Sequence, residues 1–195
     1  MPNQHSSMTS LANQFLIAMP ALDDSYFGRT VIYVCEHDDE GAMGLVINKS
    51  TDIAINKVLL EMHIEDDDSE ANIELNSNHV MSGGPVQTDR GFILHNGDKK
   101  WSSSLQLQDQ INVTTSKDIL PNLATDAGPE KYIMTLGYAG WTAGQLEQEL
   151  ADNTWLTIDA DPNLIFDVPV EERWEKAVQK LGINVEQLTA FSGHA

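Results

Sequence analysis

Two unbroken runs of β-branched and aliphatic residues, TVIYVC at 30–35 and AMGLVIN at 42–48, flank a single short polar string, EHDDEG at 36–41. Runs this short and this rich in Val and Ile suit a pleated strand better than a helix. Gly41 can supply a positive φ near the end of a hairpin loop, so a β-hairpin turning over 36–41 is the simplest arrangement. Cys35 ends the first run, where a buried, inert thiol is expected. As the chain's one cysteine it can form no internal disulfide.

Other elements are predicted from periodicity and turn chemistry. QFLIAM at 14–19 reads as a strand stopped by Pro20, followed by a turn over 21–28 that carries Asp23 and Asp24. Ile55, Val58, Leu59 and Met62 form a helical stripe. The acidic, irregular segment 65–77 is expected as a mobile surface loop. Strands are predicted at 79–82 and 91–95, and the sharp turn signalled by Gly83, Gly84 and Pro85 explains those glycines without a ligand. Short strands are predicted at 105–107 and 110–114, then a helix capped by Ser116 and running to about 123, then a buried strand at 131–136.

GYAGW at 137–141 reads as a glycine-rich strand-to-helix turn. Thr142 and Gln145 have capping-box spacing, which predicts a helix from Ala143 with Ala143, Leu146 and Leu150 facing inward. Removing the Thr142 hydroxyl would then cost about 1 kcal/mol. A strand follows at 155–158. Pro169 suits a first helical turn leading into a stripe of Val170, Trp174, Ala177, Val178 and Leu181, stopped by Gly182. Asn184 and Gln187 start a last short helix. These elements make a mixed α/β protein, a single domain over 13–195 behind a polar, disordered segment over 1–12.

Acidic residues outnumber basic ones 30 to 11, for a formal charge of −19. A field of that sign repels phosphate backbones and anionic lipid. The only adjacent basic pair is Lys99 and Lys100, so direct nucleic-acid binding is not expected. No stretch approaches the roughly 20 apolar residues of a membrane span, and MPNQHSSMTS lacks the basic start and apolar run of a signal peptide. The expectation is a cytoplasmic protein with no membrane association.

The chain has no G-x-S-x-G elbow, no G-x-x-x-x-G-K-[ST] loop, no H-E-x-x-H and no cysteine cluster, so no catalytic residue, cofactor or metal is predicted. Three clusters offer binding chemistry instead. Glu36, His37, Asp38 and Asp39 carry oxygen and imidazole donors, and His37 beside Glu36 is a candidate general base. Consecutive residues on a strand end point in alternating directions, which favours a solvated turn over a metal site or acid–base pair. Gly140 and Trp141 can present amides to an anion before a capped helix, although close packing of strand on helix is the favoured account of them. Arg29, Arg90 and Asn48 border apolar strands, where an arginine clamps a ligand's carboxylate or phosphate or, more often, one of the protein's own acids.

The ligand-contact candidates are therefore Arg29, Glu36, His37, Asn48, Gly83, Gly84, Arg90, Gly140 and Trp141. The favoured function is a non-catalytic binding or regulatory protein that acts through protein or small-ligand contacts. The alternative is an enzyme or ligand sensor with a pocket near EHDDEG, SGGPV and GYAGW.

FLIAMP at 15–20, the D-x-x-F-x-R pattern from Asp24 to Arg29, EHDDEGAMGLVIN, GGPV followed by DRGF at 89–92, TSKDIL at 115–120, GYAGWTAGQLEQEL, and ERW at 172–174 occur in one order. In this the chain resembles the UPF0301 family, also called the AlgH or YqgE family, over about 11–182. The resemblance implies a strongly coiled, barrel-like mixed β-sheet with helices packed outside. It also brings the transcriptional-regulator label carried by the AlgH name, but no established catalytic residues. The acidic 65–77 segment departs from the family in length and composition.

Overall fold

The computed structural model describes residues 9–22, 26–62, 78–123, 125–184 and 188. The expected acidic loop at 65–77, residues 1–8 of the N-terminal segment, Asp23, Asp24 and the helix start at Gln187 lie outside the described residues. The strands are β1 (Gln14–Ala18), β2 (Val31–Asp38), β3 (Gly41–Val46), β4 (Ser50–Ala54), β5 (His79–Ser82), β6 (Val86–His95), β7 (Ser104–Gln106), β8 (Asn112–Thr114), β9 (Tyr132–Thr142) and β10 (Trp155–Asp159). The α-helices are α1 (Ile55–Glu61), α2 (Gln145–Ala151), α3 (Pro162–Phe166) and α4 (Arg173–Lys180). Among the described residues no helix is long and apolar enough to cross a membrane.

All ten strands join one sheet in the order β10-β1-β2-β3-β9-β6-β8-β7, with β5 paired to β4 and, in parallel, to β9. Side chains alternate between the two faces of a strand, and the two faces are packed differently. One face of β1, β2, β3, β6 and β9 feeds a single core containing Phe15, Ile17, Tyr33, Leu45, Phe92 and Leu94. The other face feeds two separate cores, one with Leu16, Ile32, Val34, Trp141 and Trp155, the other with α1's Leu59, Ile93 and Met134. A sheet whose inner face converges while its outer face diverges is curled, and the result is the expected mixed, barrel-like fold. Helices α3 and α4 close the open side by packing Leu164, Ile165, Trp174, Ala177 and Val178 into the inner core. Cys35 is in that core, 1% exposed, and burial pushes its thiol well above the ordinary range.

The long strand β9 organises the middle of the sheet. Thr135 and Leu136 pair with Met81 and Ser82 of β5 on one edge and with Phe92 and Gly91 of β6 on the other. Only Gly83, Gly84 and Pro85 join β5 to β6, so the chain must cross the backbone of β9 within three residues. A Cβ on Gly84 would lie 1.9 Å from the carbonyl carbon of Tyr138, and one on Gly83 would lie 2.3 Å from the carbonyl oxygen of Gly137. The glycines at 83 and 84 serve a close backbone crossing, where the sequence reading expected the unusual φ angles of a sharp turn.

Several local expectations need correction. GYAGW is the continuation of β9, not a turn into a helix, and α2 begins at Gln145, not Ala143. Gly144, at φ 74°, occupies the cap position without a side-chain hydrogen bond, and Ala143 is exposed. Half of the capping box survives: the Thr142 amide donates to Gln145 Oε1 at 3.0 Å, while the Thr142 hydroxyl makes only a 3.3 Å contact with the same oxygen. Thr142→Ala keeps the first bond, so the expected loss falls from about 1 kcal/mol to within about 0.5 kcal/mol in denaturant melts.

Ser116 does not cap a helix. Its hydroxyl bonds Asp118, which also accepts from Ser102, and these bonds hold the Asp118 carboxyl at about 2. The helix expected there is a 3-10 turn at Lys117–Asn122. Pro169 precedes a 3-10 turn at Val170–Glu172, and α4 starts only at Arg173.

Candidate functional site

Two backbone irregularities decide which side chains share a face at the free end of the hairpin. Val34 pairs with Gly44 and Glu36 with Met43, so Cys35 is an extra residue in β2. Such a bulge puts neighbouring side chains on one face and reverses the alternation beyond it. Tyr33 and Cys35 face the inner core; past the bulge, Glu36 and Asp38 continue that face, and His37 is turned outward. In β9 the same reversal occurs at Gly137, where φ is 75°. Before it Ile133 faces inward; after it Tyr138 and Gly140 do, and Ala139 and Trp141 face the outer core.

The two reversals open a groove of about 530 Å³ at the end of the half-barrel, a volume within the range of small-molecule sites. Glu36, Met43 and Gly140 form one cross-strand row in it, and Asp38, Gly41 and Thr142 form the next. Glu40 stands at the hairpin tip, while Val86, Tyr138 and Arg90 bound the far side. Arg90 lies 5.2 Å over the Phe92 ring centroid, with its Nη1 3.4 Å from Gln87 Oε1. Among the described residues the groove thus has three carboxylates along one wall and one guanidinium opposite, with space between them where Gly140 has no side chain.

Of the nine candidates, the groove brings together Glu36, Arg90 and Gly140, with only the strand segment of Trp141 lining it. The Trp141 ring is 7% exposed in the outer core, and its indole N–H donates to Glu149 Oε2 at 2.8 Å. His37 is 8% exposed and engaged at both nitrogens: Nδ1 accepts from the Leu11 amide at 2.9 Å, and Nε2 lies 2.7 Å from Glu147 Oε1 on α2. It ties the N-terminal segment and α2 to β2 and does not share a face with Glu36. The amides of Gly140 and Trp141 are not at a helix start, which removes the geometry for the anion cradle considered from sequence.

The Arg29, Arg90 and Asn48 grouping is also divided. Arg29 and Asn48 line a separate cavity of about 380 Å³ with Lys49, Glu171, Trp174 and Glu175. There Arg29 stacks 5.0 Å over the Trp174 ring. The Asn48 side chain accepts from the Val31 amide and donates to the Arg29 carbonyl, both at 2.8 Å, so it clamps the base of the hairpin.

Sequence reasoning missed Met43, Val86 and Tyr138 as apolar lining of the groove, and Glu149 as the shared acceptor of the Trp141 and Trp155 indoles. The apolar residues carried no distinguishing signal. Glu149 stands at i+4 from Gln145, whose Nε2 donates to it at 3.0 Å, a spacing visible in the sequence.

A family model described as AlgH-like matches residues 15–186. UPF0301 proteins of Vibrio cholerae and Vibrio vulnificus are 54% and 53% identical over 186 residues, which span 95% of this chain and all of theirs. The solution structure of the AlgH protein from Pseudomonas aeruginosa aligns with a TM-score of 0.77 at 46% identity, covering 98% of this chain and 100% of that one. A crystal structure of a Corynebacterium diphtheriae protein, 17% identical with a TM-score of 0.70 over 91% of each chain, shares the fold.

Proposed function

We propose that this chain, which belongs to the AlgH-like (UPF0301) family, is a non-catalytic binding protein that holds a small ligand or a segment of a partner protein in the groove between the β2–β3 hairpin and Arg90. One observation carries the reading: on paired strands the groove sets carboxylates against a guanidinium, and His37, next to Glu36 in the chain, is turned to the other face and held at both nitrogens. Opposed charges over an apolar lining orient a ligand. Any regulatory action would run through such contacts and not through DNA, because a formal charge of −19 opposes approach to phosphate backbones. A cytoplasmic location fits the same picture.

A thermal-shift screen of metabolites and short peptides tests this. A groove ligand at 100 times its Kd adds about 2.7 kcal/mol to stability, and the gain disappears in the Glu36→Ala, Arg90→Ala double variant. Both positions are exposed, so the unliganded variant melts within about 0.5 kcal/mol of wild type. Turnover of a screened compound, stabilisation that survives both substitutions, or sub-micromolar duplex binding with a steep salt dependence would each contradict the reading.

A further inference from the structure

β9 is longer than its neighbour. Trp141's carbonyl lies against Gly41 of β3, while the Thr142 amide points away from β3 to Gln145 Oε1 at 3.0 Å. Backbone polar groups alternate sides along an antiparallel strand, so Gly140, like Thr142, turns its N–H and C=O to the side where β6 runs. But β6 begins at Val86, opposite Tyr138, and the chain before it leaves the ladder to cross β9 at Gly84. Nothing among the described residues continues the ladder beside 140–142. The overhang is exposed at Gly140, has no side chain there to block approach, and forms one border of the groove.

An open strand edge is a template for another strand, and proteins commonly blunt such edges with Lys or Pro. No lysine stands on this overhang. Its charged surroundings select the occupant. Glu36, Asp38 and Glu40 outnumber Arg90 in the groove, and the chain as a whole carries −19. A second copy would bring another −19 against the same surface, and an acidic peptide would meet the same repulsion.

Resting on the groove-binding reading above, we propose that the overhanging edge of β9 is a strand-addition site for an extended, lysine- or arginine-bearing segment of a partner protein. Main-chain bonds to Gly140 and to the Thr142 carbonyl supply pairing, and basic side chains on the groove face meet the carboxylates. Charge sets the encounter and the choice of partner, so binding weakens with added salt.

The experiment titrates the full chain with acetyl-Lys-Val-Lys-Thr-Lys-Val-Lys-amide while following amide exchange by NMR. Saturation slows exchange at Gly140 by at least about tenfold. The same peptide with glutamate at each lysine, or with proline replacing threonine, leaves Gly140 unprotected. The triple variant Glu36→Gln, Asp38→Asn, Glu40→Gln binds the lysine peptide at least about tenfold more weakly at low salt. Unchanged exchange at Gly140, equal protection by the proline peptide, or protection that grows with protein concentration alone, the sign of a second copy on the edge, would each overturn the proposal. If a screened ligand still binds the groove while the lysine peptide leaves Gly140 untouched, the strand-addition site fails and the groove reading stands.

Discussion

Trp141→Ala lowers the stability of the folded chain by about 3–5 kcal/mol, the cost of emptying a tryptophan-sized site in a packed core. The ring is 7% exposed among Leu16, Ile32, Val34, Leu146 and Trp155, and it meets Trp155 edge-on with centroids 6.2 Å apart. Edge-to-face pairs add about 0.5–1.5 kcal/mol beyond area burial. The substitution also takes one of two indole donors from Glu149 Oε2, the other being Trp155 at 2.7 Å. For a chain of this size the loss corresponds to a fall in Tm on the order of 10 °C. Trp141→Phe separates the causes: it keeps most of the ring volume, so its smaller loss, about 1–2 kcal/mol, reports the indole bond and imperfect refilling. Urea melts of the three proteins without ligand measure this. A Trp141→Ala unfolding free energy within about 0.5 kcal/mol of wild type would mean the ring is exposed and the segment's role is contact, not packing.

Gly84→Ala has a larger effect. A methyl group there falls 1.9, 2.1 and 2.3 Å from the carbonyl carbon and oxygen of Tyr138 and the nitrogen of Ala139, the atoms of one peptide group. Overpacking a core costs about 1–3 kcal/mol when side chains can yield, but these atoms belong to the central strand and are fixed by pairing on both edges. The crossing must open, and with it the β5–β9 and β6–β9 ladders. A loss of more than about 4 kcal/mol follows, in the exceptional range for one substitution and a large part of a typical total of 5–15 kcal/mol. Gly91→Ala is the control: it lies in β6 with no atom within 4 Å of its added carbon, and it should melt within about 0.5 kcal/mol of wild type. If the two variants denature at the same urea concentration, the crossing is not as tight as described.

Strands β1, β2, β3 and β5 and helix α1 could be read directly because their apolar patterns are unbroken and bounded by turn residues. The sequence offers Asp161 before Pro162, an N-cap followed by a first-turn proline, and Asp161 does accept from the Asn163 amide at 2.9 Å. Helix α3 is legible from those two residues. β4 was not legible: its STDIA string has no apolar alternation, and the strand is held by pairing to β5.

The site was legible only in part, for a reason of register. A one-residue slip moves every following side chain to the other face, and here slips at Cys35 and Gly137 decide that Glu36 shares the groove with Gly140 while His37 and Trp141 do not. Neither slip is marked by local composition. The cysteine continues a β-branched run, and the glycine looks like a turn. Arg29 and Arg90 are equivalent by their strand-end positions, and only the closing of the sheet sends them to different cavities.

The most direct test of the groove reading is amide chemical-shift mapping of the tightest ligand from the thermal-shift screen on isotopically labelled protein. The largest shifts then fall at Glu36, Met43, Arg90 and Gly140, with the signals of His37 and of the Trp141 indole N–H nearly unmoved. Shifts centred on Arg29 and Trp174 instead, with the groove silent, would contradict it.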